Sequence, residues 1–440
     1  HAVSVPRAMR LAPVREGSTT QAVFHAWPLF FAMALIMLGN GLQGTLIGVR
    51  ATLEGFPPAV TGFVMSGYFV GFLFGSTLAP KLMWQVGHVR VYAGLASLAS
   101  TATLAHLIVI NPFAWGIFRI VTGFCLAGLY IVAESWLNGA STNQNRGKLL
   151  SVYMLTFSLA MASSQGLLRF GDPEGFKLFI LASVLVSLAV VPISLTPTRA
   201  PAFEEPTGVP IRELFRAAPL GMTAAAVTGL SNGALLSGGP VYGLEAGMTP
   251  ARVGLFIGTT LIGQLILQWP LGALSDRVSR RRVILGATTI AAIAAAVAID
   301  IDPQGAPFLL VALIFGGMTY PMYSLSISHV NDVVPADKLV AASAAMIMVN
   351  GLGAISGPIV ATASLSVFGP AGFWIALALV HGGLGFFASY RVIHKRSIEI
   401  TTKGRFIPIP SRATAPAHRL LRDRRIPSAS SAQSADNVVS

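Results

Sequence analysis

Gly272-Ala273-Leu274-Ser275-Asp276-Arg277-Val278-Ser279-Arg280-Arg281-Arg282 decides how this 440-residue chain folds. It is a compact polar turn between two apolar runs, 252–274 and 282–300. A run of about 20 apolar residues is long enough for one helix to cross the roughly 30 Å hydrocarbon core of a bilayer. Outward from this turn the same unit recurs. The runs 27–49, 59–80, 90–110, 113–138, 147–168, 176–195, 217–242, 252–274, 282–300, 305–328, 338–363 and 371–391 predict twelve membrane spans. Breaks such as Gly55-Phe56-Pro57-Pro58, Asp172-Pro173-Glu174-Gly175 and Phe368-Gly369-Pro370 carry turn chemistry. The first run is too long for a cleaved signal peptide, and no small-residue cleavage site follows it.

Composition excludes the other classes. Hydrophobic residues make up 53% and charged residues 11%, against roughly 25% charged in soluble domains. The single Cys rules out a disulfide framework, and the 45 Gly show no triplet repeat. No Walker loop, dinucleotide fingerprint or metal-spaced His/Cys cluster occurs, so neither an enzyme nor a cofactor is expected. Cys125, inside span 4, reads as a packing residue. The net charge of +13 is explained by topology. With the N-terminus inside, 25 of the 30 basic residues fall in cytoplasmic segments, while Arg50, Arg169, Lys177 and Arg252 fall outside. That is a positive-inside pattern for an even number of helices. Both termini are expected in the cytoplasm, and no nucleic-acid partner is expected.

The chain repeats itself. A shift of 192 lays Asn40-Gly41 on Asn232-Gly233, Pro58 on Pro250, Gly62 on Gly254, Arg90 on Arg282 and Gly94 on Gly286. A shift of 193 then lays Gly123 on Gly316, Tyr130 on Tyr323 and Ser135 on Ser328. Each half has six spans, so the two copies share one topology and form a parallel repeat. The expected layout is a cytoplasmic segment 1–26, a six-helix bundle 27–196, a proline-rich linker 197–213, a second bundle 214–392 and a basic, mostly disordered tail 393–440. Arginines of that tail are candidates for contact with anionic membrane lipid.

The opening turn resembles the G-x-L-x-D-R-x-x-R-R motif of the major facilitator superfamily. Arg119-x3-Gly123-x3-Ala127-Gly128 resembles that family's arginine motif in span 4. The first-half turn departs from the pattern, with Pro80, Trp84 and Gln85 where the second half has Gly272, Asp276 and Arg277. Span 5 reads Ser163-Ser164-Gln165-Gly166 and lacks the antiporter Gly-Pro motif. Glu134-Ser135-Trp136-Leu137-Asn138, Tyr320-Pro321-Met322-Tyr323 and Gln268-Trp269-Pro270 are similar to the YcaD-like branch of bacterial facilitators. The resemblance covers about residues 25–392. It implies an all-α membrane protein of twelve transmembrane helices in two parallel six-helix repeats, with spans 1, 4, 7 and 10 lining a cavity.

Polar side chains near mid-membrane are rare and informative. With the resemblance they nominate Asn40, Gln43, Arg119, Asn232, Gln264, Tyr320 and Tyr323 as substrate-binding residues. Asp276 and Arg277, with Arg146 and Glu134 at the cytoplasmic edge, are nominated as a gate. Within it, Asp276 would pair with Arg146 and the start of span 5. No carboxylate lies near mid-membrane, and His106 and His381 read as packed or lipid-side residues. The expected function is a secondary transporter moving a small organic solute across the bacterial inner membrane by alternating access. A proton is the candidate coupling ion, and a monomer is expected. The alternative is a non-transporting facilitator-like subunit or assembly factor of a membrane complex.

Overall fold

The computed structural model describes residues 26–139, 141, 145–195, 211–335, 338–394 and 406. Among these residues all regular structure is helical, and it forms twelve passes. Span 1 is Trp27–Leu53, span 2 Pro58–Val86, span 3 His88–Ile108 and span 4 Pro112–Gly139. Span 5 is Arg146–Ser164, closed by a 3₁₀ turn over Gln165–Phe170. Span 6 is Lys177–Leu188, continued by Val190–Ser194. Span 7 starts as Pro219–Gly233, passes through a π-helical turn, Ala234–Gly238, and ends as Gly239–Glu245. Span 8 is Pro250–Arg277 and span 9 Arg280–Ala298. Span 10 is Ala306–Thr319 followed by Met322–Val333, span 11 Leu339–Phe368 and span 12 Pro370–His394.

Ten of these passes are long and apolar enough to cross a membrane. The remaining two, spans 5 and 7, carry the 3₁₀ and π irregularities. Large apolar side chains such as Phe63, Trp84, Phe113 and Phe386 point outward and are more than 60% exposed, as a lipid-facing surface requires. Connections are short. A single residue, Gly87, joins spans 2 and 3 at φ +94°, a conformation that a side chain disfavours.

Proline causes the breaks in spans 7 and 10. Pro240 has no N–H to offer the carbonyl four residues earlier, and the preceding residues slip into the π turn. Pro321 likewise separates Thr319 from Met322. Such interruptions are tolerated in membranes where the freed groups are buried in protein or line a cavity.

Glycines set the packing, and the repeat governs where they lie. In the first half, Gly71 sits on the backbone of Ile120, and Gly123 on that of Tyr68, joining spans 2 and 4. Their counterparts at shifts of 192 and 193, Gly263 and Gly316, sit on the backbones of Leu313 and Thr260, joining spans 8 and 10. Without a hydrophobic drive between helices in lipid, close approach of this kind is what holds them together.

The halves meet along matching seams. Gly62 on span 2 lies against Pro358 and Thr362 of span 11, and the Ser66 hydroxyl donates to the Ile355 carbonyl at 2.7 Å. Gly254, the repeat partner of Gly62, lies against Gln165 and Leu168 of span 5. Gly48 and Pro240, themselves related by the shift of 192, touch each other. The pseudo-two-fold axis therefore runs between spans 1 and 7. All these contacts lie toward the end of the bundle remote from Trp27 and His394, the distal end. Toward the other, terminal end, spans 5 and 8 part around a groove of about 220 Å³ lined by residues including Leu155, Ser158, Gln268 and Trp269.

The helices run past the expected spans at several ends, because helix continues into the membrane-edge turns. The expected linker 197–213 lies outside the described residues up to 210, and its last three residues belong instead to a short helix, Ile211–Ala217. That helix is tied to span 11 by an exposed Lys338–Glu213 ion pair at 2.6 Å. Segment 1–25 and the tail beyond His394, apart from Phe406, also lie outside the described residues.

Candidate functional site

Two adjoining spaces lie on the interface between the halves, with Tyr68 in the wall of both. The first is polar. Asn40, Thr45, Tyr68, Arg119 and Gln165 come from the first half, and Ser237 and Leu236 from the second. Thr45 Oγ1 donates to Gln165 Oε1 at 2.6 Å, and Gln165 Nε2 donates to the Gly41 carbonyl at 3.3 Å. Asn40 Nδ2 donates to the hydroxyls of Tyr130 at 3.0 Å and Tyr68 at 3.3 Å. Arg119 is 2% exposed, with its guanidinium 4.7 Å from the centroid of the Tyr68 ring. This is cation–π geometry, strengthened where water is excluded. The span 2–span 4 glycine seam allows it: a Cβ added at Gly67 would lie only 3.3 Å from Arg119 Cβ.

The second space is apolar. Tyr68, Phe69, Phe72 and Leu73 of span 2 face Ile347 and Ala354 of span 11, with Asn232 and Asn350 as its amides. Asn350 Nδ2 donates to the Ala225 carbonyl at 3.0 Å. Asn232 is 4% exposed, and neither its Nδ2 nor its Oδ1 has a hydrogen-bond partner among the described residues. Leaving a buried amide unmet costs about 1–3 kcal/mol. It stands one residue before Gly233 and the π turn, a type of irregularity frequent at functional sites.

Of the residues nominated from sequence, the structure thus brings Asn40, Arg119 and Asn232 together. It does not bring in Gln43, whose amide turns toward span 3 and donates to Thr103 Oγ1 at 2.8 Å. Gln264 is half-buried on span 8 and lines neither space. Tyr320 sits at the span 10 break, its hydroxyl 3.5 Å from Thr260 Oγ1. Tyr323 packs with Met222, Ile327 and Met346 in a separate cluster.

The gate residues are also distributed differently from expectation. Asp276 accepts the backbone N–H of Phe406 at 2.8 Å and lies 3.7 Å from Arg280. The Phe406 ring covers Gly272, so this residue docks on the turn. The Arg146 side chain lies outside the described residues, and the expected Asp276–Arg146 pair with it. Arg277 is exposed. The structural cation of the motif is Arg280, buried and paired with buried Asp332 at 2.5 Å. Glu134 is buried and accepts the Tyr153 hydroxyl at 3.0 Å.

His381 is neither lipid-facing nor peripheral. Its Nε2 lies 3.0 Å from Ser231 Oγ, and its Nδ1 3.1 Å from Thr288 Oγ1, which donates to the His381 backbone carbonyl at 3.0 Å. It ties spans 7, 9 and 12 together directly beneath Asn232. Thr45 and Ser237 went unnoticed in the sequence. The signal was present, because the shift of 192 lays one hydroxyl on the other.

The repeat partners Asn40 and Asn232 should respond oppositely to truncation. Asn40→Ala removes two buried bonds and should cost roughly 1–3 kcal/mol. Asn232→Ala removes an amide without a described partner and should be neutral or stabilising. Thermal unfolding of the two variants in detergent checks this; equal losses would remove the division of roles.

Comparison with known proteins agrees with this architecture. The family description "Major Facilitator Superfamily" matches residues 29–259 and 221–429. An uncharacterized MFS-type transporter of Yersinia pestis (strain Pestoides F) is 27% identical over 332 residues, covering 75% of this chain and 86% of the relative. The uncharacterized MFS-type transporter YcaD of Escherichia fergusonii is 26% identical over 333 residues, with the same coverage. Among solved structures, the nucleoside transporter NupG superposes with a TM-score of 0.72 at 15% identity, covering 84% of this chain and all of that one. A bacterial homologue of the human lysosomal transporter Spinster, inward-facing and unoccupied, gives 0.63 at 15% identity over 94% of this chain and all of its own. At such identity these two likenesses speak for the fold alone. With a family match over most of its length, a repeat of six and six spans, and a chamber between them, this chain is a multi-pass integral membrane protein and belongs to the major facilitator superfamily.

Proposed function

We propose that this protein carries a small organic solute across the bacterial inner membrane by alternating access, with both termini in the cytoplasm. One observation supports this reading above the others. The buried Asn232 amide, without a described partner, projects into a space walled by both halves. A purely structural subunit gains nothing from leaving such a group unmet. The seams give the motion a direction. They are tight distally, at Gly62, Gly254 and Gly48, and parted terminally around Ser158. In the proposed orientation the described state is closed outside and parted toward the cytoplasm.

Rocking of the two bundles about the span 1–span 7 axis would reverse that arrangement. Asn40, Arg119 and Asn232 are the proposed substrate contacts. Asp276, held by Arg280 and Phe406, is proposed to brace the second bundle at its moving edge, with Glu134 bracing the first. A proton remains the candidate coupling ion.

The test is a disulfide across the distal seam. Gly62→Cys with Thr362→Cys, in a Cys125→Ser background, should cross-link readily because the Gly62 backbone faces the Thr362 side chain. The closed seam should hold Ser151→Cys, an exposed residue lining the same groove, reactive toward an impermeant maleimide from the cytoplasmic side, and reduction should lower that reactivity as the bundles exchange states. Reactivity at Ser151 that ignores the cross-link would reject alternating access. Stable co-purification with another membrane complex alongside it would establish the non-transporting alternative.

A further inference from the structure

The two spaces share Tyr68 as a common wall, and their chemistry differs. On span 7, Asn232 faces the apolar space, and Leu236 and Ser237 face the polar one. They are separated by about one helical turn, roughly 6 Å. At the polar end stands Arg119, a buried cation on a Tyr68 ring. No acidic residue lines either space. A guanidinium offers five donors and no acceptor, in a planar fork that matches a carboxylate. In the middle, Tyr68, Phe69 and Phe72 offer ring surface. At the far end the Asn232 amide offers one donor face and one acceptor face without a described partner.

We infer that the substrate is a small amphipathic organic anion with three parts: a carboxylate at Arg119, a flat apolar body along Tyr68 and Phe72, and a hydroxyl or carbonyl at Asn232. This rests on the transporter reading above and adds the ligand class to it. The charge argument decides against a neutral solute. A buried cation in a space without lining carboxylates favours an anion, because the low dielectric strengthens their attraction. The aromatic wall decides against a sugar-like, fully polar solute, whose hydroxyls would lose water against rings without replacement bonds. The amide at the far end decides against a plain fatty acid, which would leave it unmet.

The probe is 4-hydroxybenzoate, compared with its uncharged carboxamide, 4-hydroxybenzamide, and with hexanoate. Each is added to the purified full chain in detergent while its melting temperature is followed. The hydroxybenzoate should stabilise the protein in a concentration-dependent way. The carboxamide, which lacks the carboxylate, and hexanoate, which lacks both the flat body and the hydroxyl, should bind at least about tenfold more weakly. Hydroxybenzoate should also protect Ser76→Cys, which lines the apolar space without being one of the proposed contacts, from a polar maleimide in the Cys125→Ser background. Arg119→Gln should weaken it about tenfold or more, and if that variant does not fold, the comparison of acid with carboxamide on the unaltered site still decides. Equal binding of the carboxamide, protection that fails at position 76, or no stabilisation by the acid would each overturn the inference. The cross-linking experiment above involves no ligand, so it stands or falls separately.

Discussion

Asp332→Asn should destabilise the protein by roughly 3–5 kcal/mol, one of the two largest single losses expected from this structure. Arg280 is 2% exposed, and its Nε lies 2.5 Å from Asp332 Oδ2. Its Nη1 donates to Ser275 Oγ at 3.1 Å, and Ser275 Oγ donates in turn to the Gly272 carbonyl at 2.8 Å. The pair thus fastens the end of span 8, the start of span 9 and the end of span 10. Removing the carboxylate's charge leaves the buried guanidinium without its short-range counter-charge, with Asp276 3.7 Å away and more exposed, which costs far more than the pair itself contributes. A double replacement, Arg280→Met with Asp332→Leu, should therefore recover most of the loss. Arg277→Ala, two residues from Ser275 but exposed, should stay within about 0.5 kcal/mol of the parent. Denaturation in detergent of the four proteins measures all of this. A single-variant loss near that of Arg277→Ala would show that the ion pair does not fasten these helices.

This pair also marks where sequence reading stops. Apolar runs and the repeat made the order of the passes legible, because both are properties of the chain order: each run is long enough for one pass, and the shift of 192 is visible without a gap. What they could not separate is one arginine of a run from the next. Arg277, Arg280, Arg281 and Arg282 look alike in sequence, yet the turn of the helix buries Arg280 against Asp332 and leaves Arg277 in the open. The same limit divided the mid-membrane amides. Asn40 and Asn232 are related by the repeat, but Asn40 meets Tyr68 and Tyr130, whereas the shift puts Thr260 opposite Tyr68, and Thr260 spends its hydroxyl on the Ile257 carbonyl. Gln43 and Asn40 differ by three positions on one helix, enough to turn one toward span 3 and the other toward the chamber. Between the packed and lipid-side readings of His381, the structure gives the packed one, because one face of span 12 lies against spans 7 and 9.

Glycine gives the sharpest contrast of this kind and the second large prediction. Gly94 and Gly123 both have glycine counterparts in the second half, Gly286 and Gly316, so sequence ranks them equally. A side chain added at Gly94 would meet nothing within 4 Å, whereas one at Gly123 would run into the Tyr68 carbonyl and the backbone of Phe72. Backbone cannot swing aside as a flexible side chain can, so spans 2 and 4 would have to separate. Overpacking commonly costs about 1–3 kcal/mol and more where backbone must move. Gly123→Val should therefore cost at least about 3 kcal/mol, or prevent the first bundle from folding, while Gly94→Val stays near neutral. The same seam carries Tyr68 beneath the Arg119 guanidinium, so Gly123→Ala, whose Cβ alone meets the Tyr68 carbonyl, should weaken the proposed anion binding at Arg119 as well as lower the melting temperature. Gly316→Val, against the Thr260 backbone, should cost as much in stability as Gly123→Val, and Gly316→Ala should leave binding at Arg119 intact, since that seam positions no cation. Melting curves and monodispersity in detergent separate the cases. Should Gly123→Val melt like Gly94→Val, spans 2 and 4 do not approach as closely as described, and the placement of Arg119 on Tyr68 loses its cause.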